Sequence, residues 1–220
     1  TGNNPPRRVG AVTLNPGENK LKCAVIDPSS GYAYFGARSK PGRVVKIALG
    51  SGDKPPKRVG AVMLNPGEDY LCSAVLKPSS NYAYFSTDTS PGCVVKVALG
   101  SGSNAPMRES KLTLAPGEDS LRSAVFDTLS GCAYFGTNTM PARVVKVSLS
   151  SGSEPMKRVG AVALDSGEDF LHCAVIDTSR GYAYFGTDTK PAHVVKVALG
   201  SDVPAENKLP HATAETGNNK

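Results

Sequence analysis

The chain has 220 residues, 40% of them hydrophobic and 20% charged, with a formal net charge of +6 at pH 7. That length holds one sizeable core, and no apolar run approaches the roughly 18 residues a membrane-spanning helix needs. Five cysteines without a shared spacing argue against a disulfide framework or a CxxC-type zinc site, and no lysine-arginine cluster alternates with aromatics as a nucleic-acid interface would require.

The N-terminal TGNNPPRRVG has no initiator Met and no apolar signal core, so it reads as the start of a mature chain or of a piece of a longer one. Nothing marks a compartment. The first strand-like segment is RVGAVTL, residues 8–14, and a GEN turn follows it. The block LKCAVIDPSSGYAYFGARSKPGRVVKIALG then begins at Leu21 and returns, with substitutions, at Leu71, Leu121 and Leu171. A fixed 50-residue period signals stacked supersecondary units that bury their apolar surface against one another.

In the second unit the strand-like segments are 58–64, 73–76, 82–87 and 94–99, separated by NPGED, KPSSN, DTSPG and GSGSNAP. The separators are rich in turn-forming residues, and no segment keeps a helical period over ten or more residues. Ala83, Tyr84 and Phe85 run together, as do Val94 and Val95, where a sheet with one wet face would alternate. Both faces are therefore covered, which small sheets stacked around an axis achieve. The predicted fold is all-β, a β-propeller of four 50-residue, four-stranded blades; a parallel β-helix fits less well because its coils are shorter. The repeat domain is 1–200, in units 1–50, 51–100, 101–150 and 151–200. Residues 201–220 carry too few apolar groups to order themselves and read as a disordered tail.

The run from SAVIDPSSGYAYFGT-like text through VVKVALGSG to RVGAVTL, seen across residues 21–64, resembles YVTN-type and NHL-type β-propeller repeats. The resemblance covers residues 8–199 and is specific for blade architecture, not for activity. Four copies are fewer than those families usually carry. It implies that the AVID-like strand is innermost and RVGAV outermost. The chain would then begin with an outermost strand and end one strand short of a complete blade. A closed four-bladed ring, with 8–14 pairing onto 194–199, is the favoured expectation; an open arc or a ring completed by a second copy is the alternative.

Equivalent positions fall on rings about the propeller axis. Glu18, Glu68, Glu118 and Glu168 form a complete column beside Asn19, Asp69, Asp119 and Asp169, in turns expected near the axis. Arg38, Asp88, Asn138 and Asp188 occupy the turn expected on the same face. Such carboxylates could hold Ca²⁺ or a cationic group; the favoured reading is that each fixes its own turn by accepting backbone N–H groups. The lysine column (Lys46, Lys96, Lys146, Lys196) and the arginine column (Arg8, Arg58, Arg108, Arg158) read as structural, the lysines with stems on apolar surface and wet ammonium groups. His172, His193 and His211 share no column and form no triad, and the strand tyrosines read as inter-blade packing.

The expected function is a non-enzymatic scaffold that binds protein or a small ligand through its loops, with Arg38, Asp88, Asn138, Asp188, Glu68, Asp69, Glu118, Asp119, Glu168 and Asp169 as candidate ligand contacts. No catalytic residue, metal or cofactor is expected, and self-association is expected if the ring is open. The alternatives are a lyase or hydrolase with an axial site, for which His172 and Arg122 are the candidate groups, or a structural fragment.

Overall fold

The structure, a computed structural model, describes residues 5–78, 80–149, 152 and 154–200. Among these residues there are fifteen strands and no helix. Blade 1 comprises β1 (Leu21–Asp27), β2 (Tyr32–Ala37), β3 (Arg43–Ala48) and β4 (Lys57–Met63). Blade 2 comprises β5 (Leu71–Leu76), β6 (Tyr82–Thr87), β7 (Cys93–Ala98) and β8 (Met107–Thr113). Blade 3 comprises β9 (Leu121–Asp127), β10 (Cys132–Thr137), β11 (Arg143–Ser148) and β12 (Lys157–Ala163). The last blade holds β13 (Leu171–Asp177), β14 (Tyr182–Thr187) and β15 (Val194–Ala198). Each sheet is an antiparallel meander in chain order, and the inner strands β1, β5, β9 and β13 stand side by side.

The sheets have no cores of their own. One apolar cluster joins Tyr34 and Val44 of blade 1 to Leu71, Phe85 and Val95 of blade 2. Equivalent clusters join blade 2 to Phe135 and Val145 of blade 3, and blade 3 to Leu171 and Phe185 of the last blade. This arrangement explains the unbroken apolar runs: one residue of Tyr-Phe faces the blade before and the other the blade after. The register confirms the assignment, with Phe85 opposite Ala74 on one side and Val95 on the other.

Two polar columns tie the blades together. Arg58, Arg108 and Arg158 on the outer strands clasp Glu18, Glu68 and Glu118, with Nε to carboxylate oxygen distances of 2.8, 2.9 and 2.8 Å. The same glutamates, and Glu168, accept the backbone N–H three residues upstream at 3.0 Å, which is the turn-fixing role expected of them. The lysines depart from expectation. Lys46 is fully buried, and its ammonium donates to the carbonyls of Gly100, Gly102 and Asn104 at 2.7, 2.8 and 3.1 Å. The loop of the next blade folds over the strand lysine, so the charge meets carbonyls where water was expected.

For Glu18, the hydrogen bond from Arg58 holds the carboxyl below its ordinary value of 4.5. For Glu118, burial pushes upward, but Arg158 and the Ala115 N–H outweigh it and the net direction is again down. A depressed carboxyl stabilises the fold above its unfolded pKa and loses that contribution as pH falls through its folded value. The melting temperature should therefore be insensitive to these groups at neutral pH and fall steeply below about pH 4.5. Glu118→Gln should melt lower at pH 7 and show a shallower acid slope in a pH series of thermal scans; an unchanged slope would exclude the clasp as its source.

The expected closure pairing is not seen among the described residues. Residues 8–14 carry no strand assignment, and among the described residues β15 pairs with β14 alone. The segment lies instead against blade 1, where Gly10 approaches Pro55 as Gly60 approaches Ala105 one repeat later. A Cβ at Gly10 would come within 2.6 Å of Pro55, so only glycine permits this approach. The outer strands of neighbouring blades, β4 and β8, remain in contact. The predicted tail, 201–220, lies outside the described residues.

Candidate functional site at the axial mouth

Every inner strand begins with the same irregularity. Lys20, Tyr70, Ser120 and Phe170 adopt left-handed backbone, with φ of 54°, 55°, 52° and 54°. The ladder then skips one residue between Leu21 and Cys23, Leu71 and Ser73, Leu121 and Ser123, and Leu171 and Cys173. A bulge leaves the extra residue without a cross-strand partner and re-aims its side chain. The four bulged residues are Lys22, Cys72, Arg122 and His172, different in each repeat although the leucine before them never changes.

These four side chains line one cavity of about 180 Å³ together with Arg38 and Asp88 from the neighbouring turns. Arg38 and Arg122 donate to the same oxygen of Asp88, at 2.8 and 3.0 Å. Arg122 Nε is buried without an acceptor. Two guanidinium groups thus share a single carboxylate in a cavity that Lys22 also lines. His172 places Nε2 2.8 Å from Asn138 Oδ1, and its Nδ1 lies 3.8 Å from Asp188. Burial pushes the Cys72 thiol up to about 11, and its Sγ is 3.1 Å from the Leu121 carbonyl oxygen. That thiol is protonated at neutral pH and is not an activated nucleophile.

Of the predicted contacts, Arg38 and Asp88 line this cavity, and Asp69 and Asp88 line a second, of about 490 Å³, between the turns of blades 1 and 2. Asn138 and Asp188 reach the first cavity through His172. Glu68 and Glu118 are turned away into their arginine clasps, and Glu168 into its own turn. Asp119 keeps one buried oxygen without a partner, as Asp69 does. Asp169 belongs to the turn before β13 and lines neither cavity. Among the described residues, no cluster of three or more His, Cys, Asp or Glu could hold a metal. Lys22 and Cys72 were not singled out from sequence; the signal was a column that varies between an invariant leucine and an invariant alanine.

No protein-family model matches the chain, and no curated protein matches it. Solved structures do. A 6-phosphogluconolactonase-like protein from Bacteroides uniformis superposes with a TM-score of 0.61 at 12% identity, over 86% of this chain and 59% of that one. Hydrazine synthase from Kuenenia stuttgartiensis gives 0.63 at 11% identity, over 86% and 49%. Sqt1 from Chaetomium thermophilum gives 0.59 at 12% identity, over 82% and 44%. The likeness establishes a propeller-type fold, and the chain spans about half the length of the structures it matches.

Proposed function

We propose that this chain is a binding scaffold whose axial mouth takes an anionic group, phosphate or carboxylate, carried by its ligand, while the loops at 38–43, 88–93, 138–143 and 188–193 contact the rest. The carrying observation is the sharing of one Asp88 oxygen by Arg38 and Arg122 in a cavity also lined by Lys22 and His172. Two guanidinium groups on one carboxylate leave donors available, and an incoming anion satisfies them in fork geometry. The neighbours support both a binding and a catalytic reading of the fold: Sqt1 is also known bound to the N-terminus of ribosomal protein L10, and the 6-phosphogluconolactonase-like protein bears an enzyme's name. Binding is favoured because the cavity's thiol is protonated and its two arginines converge on one carboxylate.

Titration calorimetry with 6-phosphogluconate, gluconate and an acidic peptide separates phosphate, small carboxylate and protein ligands. Arg122→Met should weaken the preferred anion roughly tenfold or more, and Asp88→Asn, which removes the competing carboxylate, should tighten it. Affinities indifferent to both substitutions, or no binding of any of the three, would end this reading. Hydrolysis of 6-phosphogluconolactone above its spontaneous rate, lost in His172→Ala, would favour the catalytic one.

A further inference from the structure

The repeat is out of phase with its own strands, and this leaves matched halves at the two ends of the arc. Four copies of the VVKV-type strand and four of the outer-strand segment are present, but among the described residues three pair: β3 with β4, β7 with β8, and β11 with β12. Unused among the described residues are the edge of β15 and residues 8–14, whose RVGAVTL repeats the RVGAVML and RVGAVAL text of blades 1 and 3. The ion pairs show the same offset. Each clasp joins a glutamate to the arginine 40 positions later, so Glu168 and Arg8 are left over, with no ion-pair partner among the described residues.

The blade faces agree. Val44, Val94 and Val144 are 0 to 2% exposed beneath the following blade, whereas Val194 is 78% exposed. On the opposite side Leu71, Leu121 and Leu171 are fully buried by the preceding blade, and Leu21 is 41% exposed. Lys196 is exposed at the position where Lys46 is buried beneath carbonyls of the following blade.

We propose that these ends join between two copies of the chain, head to tail, in a two-fold ring of eight blades. Residues 8–14 of one copy add to the β15 edge of the other in the register that β3 and β4 use, which places Lys196 opposite Gly10 and Val194 opposite Val12. Arg8 then meets Glu168 across the interface, and Val194 is covered by the partner's first blade. Strand addition supplies backbone hydrogen bonds and removes an edge that would otherwise template aggregation. The segment already lies along blade 1 as the outer strand of a preceding blade would. A heterologous contact of this kind closes only if the rotation completes a circle. Four blades spanning about half of the neighbouring propellers supply half a turn. The axial mouth is then shared, each copy contributing its own Lys22, Arg38, Arg122 and His172.

Sedimentation of the 220-residue chain without ligand tests this apart from any anion binding. Twice the 22.9 kDa monomer mass is expected. Arg8→Glu, on an exposed residue, should raise the dimer dissociation constant at least tenfold, and the double variant Arg8→Glu with Glu168→Arg should restore association. Val194→Glu should give a folded monomer by circular dichroism. A wild-type monomer at about 100 μM, open-ended higher oligomers, or a dimer indifferent to both Arg8→Glu and Val194→Glu would overturn the proposal.

Discussion

Lys46→Ala is expected to cost about 3 kcal/mol or more and to lower the melting temperature by roughly 6–12 °C. The ammonium is fully buried and satisfies three carbonyls of the blade 2 loop, and Nζ sits over the aromatic rings of Tyr32 and Tyr34, 4.2 and 5.8 Å from their centroids. Truncation removes the donor and leaves those acceptors enclosed, so most of the cost is desolvation without compensation. Lys196→Ala is the internal control. Its side chain is exposed at the end of the arc, and in the monomer its loss should fall within about 0.5 kcal/mol. Thermal scans of both variants decide the matter; equal shifts would mean that the carbonyl cap contributes nothing.

Phe85→Ala and Phe135→Ala should each cost about 3–5 kcal/mol, because both rings are fully buried in inter-blade clusters that cannot collapse around the void. Phe35 occupies the same column but is only half-buried, since no blade precedes its own. Phe35→Ala should cost about half as much in dilute solution. Denaturant melts at constant slope would measure the difference. A Phe35 cost that equals the Phe85 cost at high protein concentration and shrinks on dilution would trace its burial to a partner.

The architecture was legible because its determinants are periodic. The strands of the second unit were read as 58–64, 73–76, 82–87 and 94–99 and lie at Lys57–Met63, Leu71–Leu76, Tyr82–Thr87 and Cys93–Ala98. Inner-to-outer order was legible too. Closure depends on the angle between blades, a sum of many side-chain volumes that no local pattern encodes. The glutamate and arginine columns were visible separately, but their union 40 residues apart requires knowing that an outer strand starts beside the turn before the inner one. The site was half legible: Arg38 and Asp88 stand in turns, where function is sought, whereas Lys22 and Cys72 sit inside strands. Only the bulge, invisible in a single sequence, makes a strand residue face the axis.

That bulge separates two jobs within six residues of chain. The leucine before it and the alanine two places after it pack between blades and resist change. The bulged residue itself has no cross-strand partner. Its identity is therefore nearly free of the fold's requirements, and duplicated copies can diverge there without loss of architecture. Lysine, cysteine, arginine and histidine at positions 22, 72, 122 and 172, set in otherwise near-identical text, are what such freedom leaves behind. The same four positions offer a compact set to randomise, with substitutions at the exposed Lys22 and His172 expected to shift stability by no more than about 0.5 kcal/mol while the chemistry of the mouth changes.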